Sequence, residues 1–231
     1  MDSWEVVFKD DRIAVFCGSK YYGDYILLKE PYCLKCACLG VTTMQCSWHD
    51  DDYGFERIYA MGAYLSSSTP EGYDDLLSKH IRGLKKFPGY SIPLGLGLAE
   101  CVKNRYPELL KTDLIVPVPL FGTELKVSGK VKYNQAAELA KVLSEKININ
   151  YRESLVKTRE KRLMDLPRDE RKEAVKGLYK VRKGGQVRDE KILLVDDVST
   201  SGATVSECSK VLVDSGAMMV NVLVAGRTAG T

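Results

Sequence analysis

The run Ile192-Leu193-Leu194-Val195-Asp196-Asp197-Val198-Ser199-Thr200-Ser201-Gly202-Ala203-Thr204 constrains this chain more than any other stretch. Its apolar start is too short for a helix and reads as a strand buried on both faces, as inside a parallel sheet. Asp196 and Asp197 then fall at the strand's C-terminal end, where open parallel sheets place their ligands. Thr200 to Thr204 add hydroxyls and backbone N–H groups at a helix start, a natural anion cradle. Gly202 lets the backbone approach a phosphate closely. Downstream, Val205, Cys208, Val211 and Leu212 recur at helical spacing, Gly216 stops the helix, and Val220 to Ala225 reads as the next buried strand. The unit is strand–loop–helix–strand. A capped helix start would account for either half alone. The acidic pair and the glycine-bearing hydroxyl cluster together point to a site for a phosphorylated sugar. A Walker A loop needs a lysine, and none follows Gly202, so a nucleoside triphosphate is the weaker ligand.

Val195 to Thr204 closely resembles the phosphoribosyl pyrophosphate (PRPP) motif of type I phosphoribosyltransferases. The resemblance implies that Asp196 and Asp197 bind the ribose hydroxyls and are the catalytic pair. It further implies that PRPP contacts run on through Val198 and Ser199, with Thr200, Ser201, Gly202, Ala203 and Thr204 holding the 5′-phosphate. Ile115-Val116-Pro117-Val118-Pro119-Leu120 and Tyr133-Asn134-Gln135-Ala136 resemble landmarks of the ComF branch, which is competence-associated and amidophosphoribosyltransferase-like. The implied fold is α/β, with the central parallel sheet of the type I phosphoribosyltransferases flanked by helices. A small N-terminal, β-rich, zinc-ribbon-like module would precede it. The expected division is 1–58 for the hairpin and zinc-knuckle module and 59–231 for the phosphoribosyltransferase-like part.

The chain's 231 residues suit one α/β domain with a small appendage. No stretch approaches 18 apolar residues, so no membrane span is expected. Met1-Asp2-Ser3-Trp4-Glu5 lacks the features of a signal peptide, and the expected location is the cytoplasm. In that compartment the seven cysteines are not read as disulfides. Cys33-Leu34-Lys35-Cys36 and Cys46-Ser47-Trp48-His49 form two C-x2-[CH] pairs with nine residues between them, a spacing that suits tetrahedral Zn²⁺. Cys33, Cys36, Cys46 and His49 are the expected ligands of a closed structural site, with Cys38 or Cys17 as replacements. Cys101 and Cys208 lie in helical patterns and read as small core residues.

Trp4 to Phe8 and Ile13 to Cys17 read as a hairpin around Lys9-Asp10-Asp11-Arg12, with Tyr25 to Lys29 a third strand. Tyr59 to Tyr64 reads as a further strand. Leu76, Leu77, His80, Ile81 and Leu84 share one helix face that Asp74 would cap, with His80 a packed core histidine. Pro93 to Arg105 is a helix that its glycines weaken. Leu114 to Val118 is the first central strand, left near Pro119 because proline is disfavoured inside a sheet. Asn134 starts a helix to about Lys146, with Ala136, Leu139, Ala140 and Leu143 inward.

By the resemblance, the loop after Pro119 and Leu120 faces pyrophosphate. ComF members tend to carry arginines there, whereas this chain offers Lys126, Lys130 and Lys132. The formal net charge is +3, yet Lys157 to Lys183 holds eleven basic and five acidic residues, a local +6. Such a run is ordinarily a solvated face. The resemblance makes it the hood that closes over PRPP, with Arg159, Lys161, Arg162, Arg168 and Arg171 toward pyrophosphate. Ala174 stands where ComF members usually have asparagine. Thr200 stands where hypoxanthine/guanine salvage enzymes generally have an aspartate, which argues against that acceptor.

The implied reaction is displacement at ribose C1 with inversion, with Mg²⁺ arriving on the pyrophosphate. The partners are PRPP and an unidentified nitrogen acceptor. Asp2 follows Met1 where an N-terminal nucleophile would be needed, so ammonia would have to come from a partner, and a homo-oligomer is possible too. The alternative is a non-catalytic PRPP-sensing or nucleic-acid-associated protein of the DNA-uptake type. Against nucleic acid, the basic residues are interleaved with acids, and Tyr179 is the aromatic that segment offers for stacking.

Overall fold

Alternation along residues 192–195 sorts the molecule into two faces. In the computed structural model, which describes residues 3–46, 53–122, 126–127, 130–131, 133–160 and 170–228, Ile192 and Leu194 lie in one buried cluster and Leu193 and Val195 in another. Successive side chains of a strand point to opposite faces, so a strand covered on both sides must be apolar throughout.

The chain runs through β1 (Trp4–Lys9), β2 (Arg12–Cys17), β3 (Lys20–Ile26) and β4 (Ile58–Tyr64), then α1 (Pro70–Asp74), α2 (Leu76–Leu84) and α3 (Ser91–Asn104). Next come β5 (Leu114–Pro117), β6 (Lys126–Val127), β7 (Lys130–Val131), α4 (Gln135–Ile147), β8 (Asn150–Tyr151) and β9 (Leu155–Lys157). The remainder is α5 (Glu170–Val175), β10 (Tyr179–Val181), β11 (Lys191–Ser199), α6 (Ala203–Asp214) and β12 (Met219–Thr228). The central sheet has five strands in the order β4-β12-β11-β5-β8, all parallel. β11 sits at its middle, with Val195 opposite Leu223 on one side and Pro117 on the other. Cys208 and Leu212 of α6 pack with Ile192, Leu194 and Val222 on one face. Ile81, Leu98 and Leu139, from α2, α3 and α4, pack with Leu193, Val195 and Leu223 on the other. A central parallel sheet flanked by helices is the architecture expected from the sequence.

The N-terminal segment straddles this sheet. Its antiparallel β1-β2-β3 sheet supplies Ile13, Val15 and Tyr25, and the residue just past β3 supplies Leu27, to the core on the α2–α4 side. The chain then passes β4, where the Leu28 N–H donates to the Met61 carbonyl at 2.9 Å and the Ile58 N–H to the Lys35 carbonyl at 2.7 Å. Covering a sheet edge in this way removes unpaired backbone groups from solvent. Beyond the edge, Leu28, Cys33, Cys36 and Cys46 join the core on the α6 side.

Three details differ from the sequence expectation. The third strand is Lys20–Ile26 instead of 25–29, because Gly18 at φ +57° allows a tight turn directly after Cys17. The cap of α2 is Asp75, whose carboxylate accepts from the Ser78 N–H at 2.7 Å; Asp74 closes the short α1 instead. β5 ends at Pro117, although the Val118 N–H still donates to the Val195 carbonyl at 2.9 Å. The glycines of α3 have a packing role. A Cβ on Gly95 would lie 2.6 Å from Val142, and one on Gly97 2.8 Å from Met61, so both permit close approach to α4 and β4. Among the described residues no helix is long and apolar enough to cross a membrane.

Candidate functional site

The C-terminal edge of the sheet gathers most of the expected site. Asp196 and Asp197 are the sixth and seventh residues of β11, so they belong to opposite faces, Asp196 with Ile192 and Leu194. The Asp197 N–H donates to Asp196 Oδ1 at 2.9 Å, and the Val198 N–H to Asp197 Oδ1 at 2.8 Å. Burial, then the neighbouring Asp197 charge, pushes the Asp196 carboxyl well above the usual carboxylate range. Burial raises the ionisations of the Tyr179 hydroxyl and the Cys208 thiol, and the nearby Asp196 carboxyl adds to both.

Past Ser199 the chain turns into α6 through Gly202, which sits at φ +77° and ψ −4° as the N-cap residue and offers no capping side chain. Ser201 Oγ accepts from the Ala203 N–H at 3.3 Å. The next N–H groups of the first turn, on Thr204 and Val205, have no intrahelical acceptor by geometry. Asp196 and residues 198–205 line a depression of about 50 Å³ at this helix end. With aligned N–H groups, hydroxyls and the positive end of the helix dipole, it can hold a small anion.

A larger open cleft of about 210 Å³ lies on the same edge, beside Pro117, the strand residue paired with Val195. Pro119 and Leu120, the expected pyrophosphate-facing residues, line it with Asn134, Glu153, Lys157 and Arg182. Asn134 ties the two ComF-like landmarks together: its Oδ1 accepts from the Ala136 N–H at 3.1 Å, and its Nδ2 donates to the Val118 carbonyl at 2.9 Å. Lys157 opens the basic segment at the end of β9, which pairs antiparallel with β10. Arg171, on α5, donates to Thr200 Oγ1 at 3.1 Å, so the basic segment reaches the loop directly. Arg159 is exposed beyond β9. Lys126 and Lys130 lie in the paired strands β6 and β7. Their side chains, together with Lys132, Lys161, Arg162 and Arg168, lie outside the described residues.

The cysteine cluster forms on the α6 face. The Sγ atoms of Cys33, Cys36 and Cys46 lie within 4.8 Å of one another, and Cys36 and Cys46 are 3.7 Å apart. A tetrahedral site with Zn–S bonds of about 2.3 Å has sulfurs about 3.8 Å apart, so the spacing fits. Cys33 Sγ accepts from the N–H groups of Lys35 and Cys36 at 3.2 and 3.3 Å. Burial first, then the neighbouring Cys33 sulfur, pushes the Cys36 thiol up. His49 lies outside the described residues. Cys38 is buried but closes the knuckle through its backbone, accepting from the Cys33 N–H at 2.9 Å. Cys17 ends β2 and is not part of the cluster.

Sequence reasoning missed Arg227. It lies one residue before the end of β12, opposite Ser199, donates from Nη1 to the Ser199 carbonyl at 2.8 Å and to the Thr200 carbonyl, and donates from Nε to the Cys36 carbonyl at 3.0 Å. The available signal was a lone arginine two residues past the apolar run Val220 to Ala225. The stacked rings of Tyr53 and Phe55, 5.2 Å apart, were also missed; they lie beside Arg227 and Gly202.

No family model matches this chain, and no curated protein matches it. Among solved structures, the glutamine PRPP amidotransferase from B. subtilis is similar at a TM-score of 0.40 and 16% identity, over 94% of this chain and 36% of that one. A phosphoribosylpyrophosphate synthetase from Mycobacterium smegmatis aligns at 0.36 and 14% identity, over 58% and 33%. A purine phosphoribosyltransferase from Pyrococcus horikoshii aligns at 0.33 and 18%, over 57% and 68%. The chain thus spans about a third of the length of the first two. At scores this low, the functional reading rests on this chain's own residues.

Proposed function

We propose that this protein is a type I phosphoribosyltransferase of the ComF kind, binding PRPP with Mg²⁺ and transferring phosphoribose to a nitrogen acceptor with release of pyrophosphate. The observation that carries the reading is the juxtaposition, on one sheet edge, of a carboxyl pair and an anion-holding helix start. A ribose 5-phosphate needs both, one for its hydroxyls and one for its phosphate. In this reading the carboxyls of Asp196 and Asp197 meet the ribose hydroxyls. Thr200 to Thr204 hold the phosphate. Pro119, Leu120 and the segment from Lys157 through Arg171 enclose the pyrophosphate side, where Arg171 exchanges its Thr200 hydroxyl for the ligand.

Displacement at C1 passes through an oxocarbenium-like state and needs no covalent protein nucleophile. This chain's contribution is positioning, fixed dipoles around the departing anion and exclusion of water. Mg²⁺, when bound, neutralises charge on the leaving pyrophosphate, and Asp197 is the half-buried carboxyl beside the loop that fits it. Thr200 disfavours purine salvage of the hypoxanthine/guanine type. Zn²⁺ on Cys33, Cys36 and Cys46, with His49 as the fourth ligand, is structural. We further propose a boundary near residue 58 between the zinc-knuckle module and the transferase part, action in the cytoplasm, and an ammonia-supplying partner if ammonia is the acceptor.

The test is pyrophosphate release from PRPP and Mg²⁺ across ammonia, glutamine, purines and pyrimidines. Release with one acceptor, lost in Asp197→Ala, supports the transferase. PRPP binding without turnover on any acceptor would instead favour the sensing role, and nucleic acid binding is the outcome to check beside it.

A further inference from the structure

Arg227 is 1% exposed, and its three named acceptors are main-chain carbonyls from two distant parts of the chain, Cys36 on one side and Ser199 and Thr200 on the other. The consequence for the loop is directional. In a trans peptide the C=O and the following N–H point in opposite directions. By holding the Ser199 and Thr200 carbonyls, the guanidinium aims the N–H groups of Thr200 and Ser201 away from itself, on the side where an anion would sit. Its own buried positive charge adds to the field felt by that anion.

The other end of the same side chain grips the metal knuckle. Cys36 offers its Sγ to the cluster and its carbonyl to Arg227 Nε. The adjoining Ala37 N–H donates to the Cys33 carbonyl at 2.8 Å, which fixes that peptide within the knuckle. From Sγ to loop, the connection is one residue, one guanidinium and two carbonyls. The flat, forked arginine suits it because its donors hold a fixed mutual geometry that a lysine ammonium lacks.

We propose that Arg227 is a positioning residue that couples metal loading of the Cys33-Cys36-Cys46 knuckle to anion binding at Thr200–Thr204. The metal holds Cys36, Cys36 holds Arg227, and Arg227 holds the loop in its anion-receiving form. This rests on the reading of the loop as a phosphate site. Coupling of this kind is reciprocal, so the anion must tighten the metal by the same factor.

The test is Zn²⁺ affinity, measured by competition with a chromophoric chelator, with and without saturating ribose 5-phosphate. In the wild type, ribose 5-phosphate is expected to raise Zn²⁺ affinity about tenfold, within the usual range of coupling between sites. In Arg227→Lys, which keeps the charge and loses the fork, the expected shift falls below about twofold although Zn²⁺ and ribose 5-phosphate each still bind. A merely structural role would weaken binding and leave the coupling factor unchanged. Hydrogen exchange on the wild type needs no variant: amides of 199–206 lose protection when Zn²⁺ is removed, while those of α3 do not. Wild-type protein that binds both ligands without any shift, or Arg227→Lys that keeps the full shift, would overturn the proposal. Failure to bind ribose 5-phosphate at all would overturn the loop reading itself, and this inference with it.

Discussion

At the scale of single residues, the acidic pair is asymmetric. Burial first, then the charge of Asp197, lifts the folded ionisation of Asp196 above the unfolded one. A raised carboxyl binds its proton more tightly when folded, so its contribution favours the fold at low pH. That contribution declines as pH rises above the unfolded value near 4. Asp196→Asn, a neutral mimic, should therefore raise the melting temperature of the ligand-free protein at pH 7, and the gain should shrink toward pH 4. Scanning calorimetry at both values checks this, and an equal or lower melting temperature at pH 7 would contradict it. The neighbouring Thr200 is exposed, which leaves its hydroxyl accessible both to Arg171 and to a ligand.

At the scale of elements, α2 shows how a polar residue is housed in a core. His80 faces Tyr25, Trp4 and Tyr90, and its Nδ1 meets the Tyr25 hydroxyl at 2.6 Å. Burial lowers its ionisation to about 4. A depressed histidine stabilises the fold above its unfolded value near 6.5, and that stability is lost as pH falls toward 4, by about 3 kcal/mol in all. Asp196 acts in the opposite sense over part of this window, so the comparison is between proteins: His80→Gln should flatten the fall in urea stability between pH 6.5 and pH 4 relative to wild type. Equal slopes would contradict the assignment. The elements also mark what the sequence reveals. The buried strands, the α4 and α6 faces and the Asn134 cap follow from local pattern alone. The third N-terminal strand and the α2 cap did not, because a glycine turn and two adjacent aspartates leave the boundary open to a shift of one or several residues. Arg227 was illegible for a different reason: its acceptors lie 28 and 191 residues away in sequence, and no periodicity reports such a contact.

At the scale of the whole molecule, the N-terminal segment is a strap around the β4 edge, with its sheet on one face and its cysteine knuckle on the other. A metal that fixes the knuckle therefore fixes the strap's far end against α6. Purified protein should contain close to one zinc per chain, reduced in Cys33→Ser and in Cys46→Ser. Chelation should lower the melting temperature by about 10 °C, taking a loss of about 3–4 kcal/mol, as for a metal present at a few hundred times its dissociation constant, at about 2–4 °C per kcal/mol. Metal analysis showing no zinc in the wild type would end the structural-zinc account. The central claim is that the edge formed by Asp196, Asp197 and the loop to Thr204 is a PRPP site. Titration calorimetry of PRPP with Mg²⁺ tests it most directly. The expected result is wild-type binding with a Kd on the order of micromolar, or about −8 kcal/mol, weakened at least about tenfold in Asp197→Ala, whose lost charge-assisted hydrogen bonds are worth about 1.5–3 kcal/mol. No binding to the wild type, or equal binding by the variant, would contradict it.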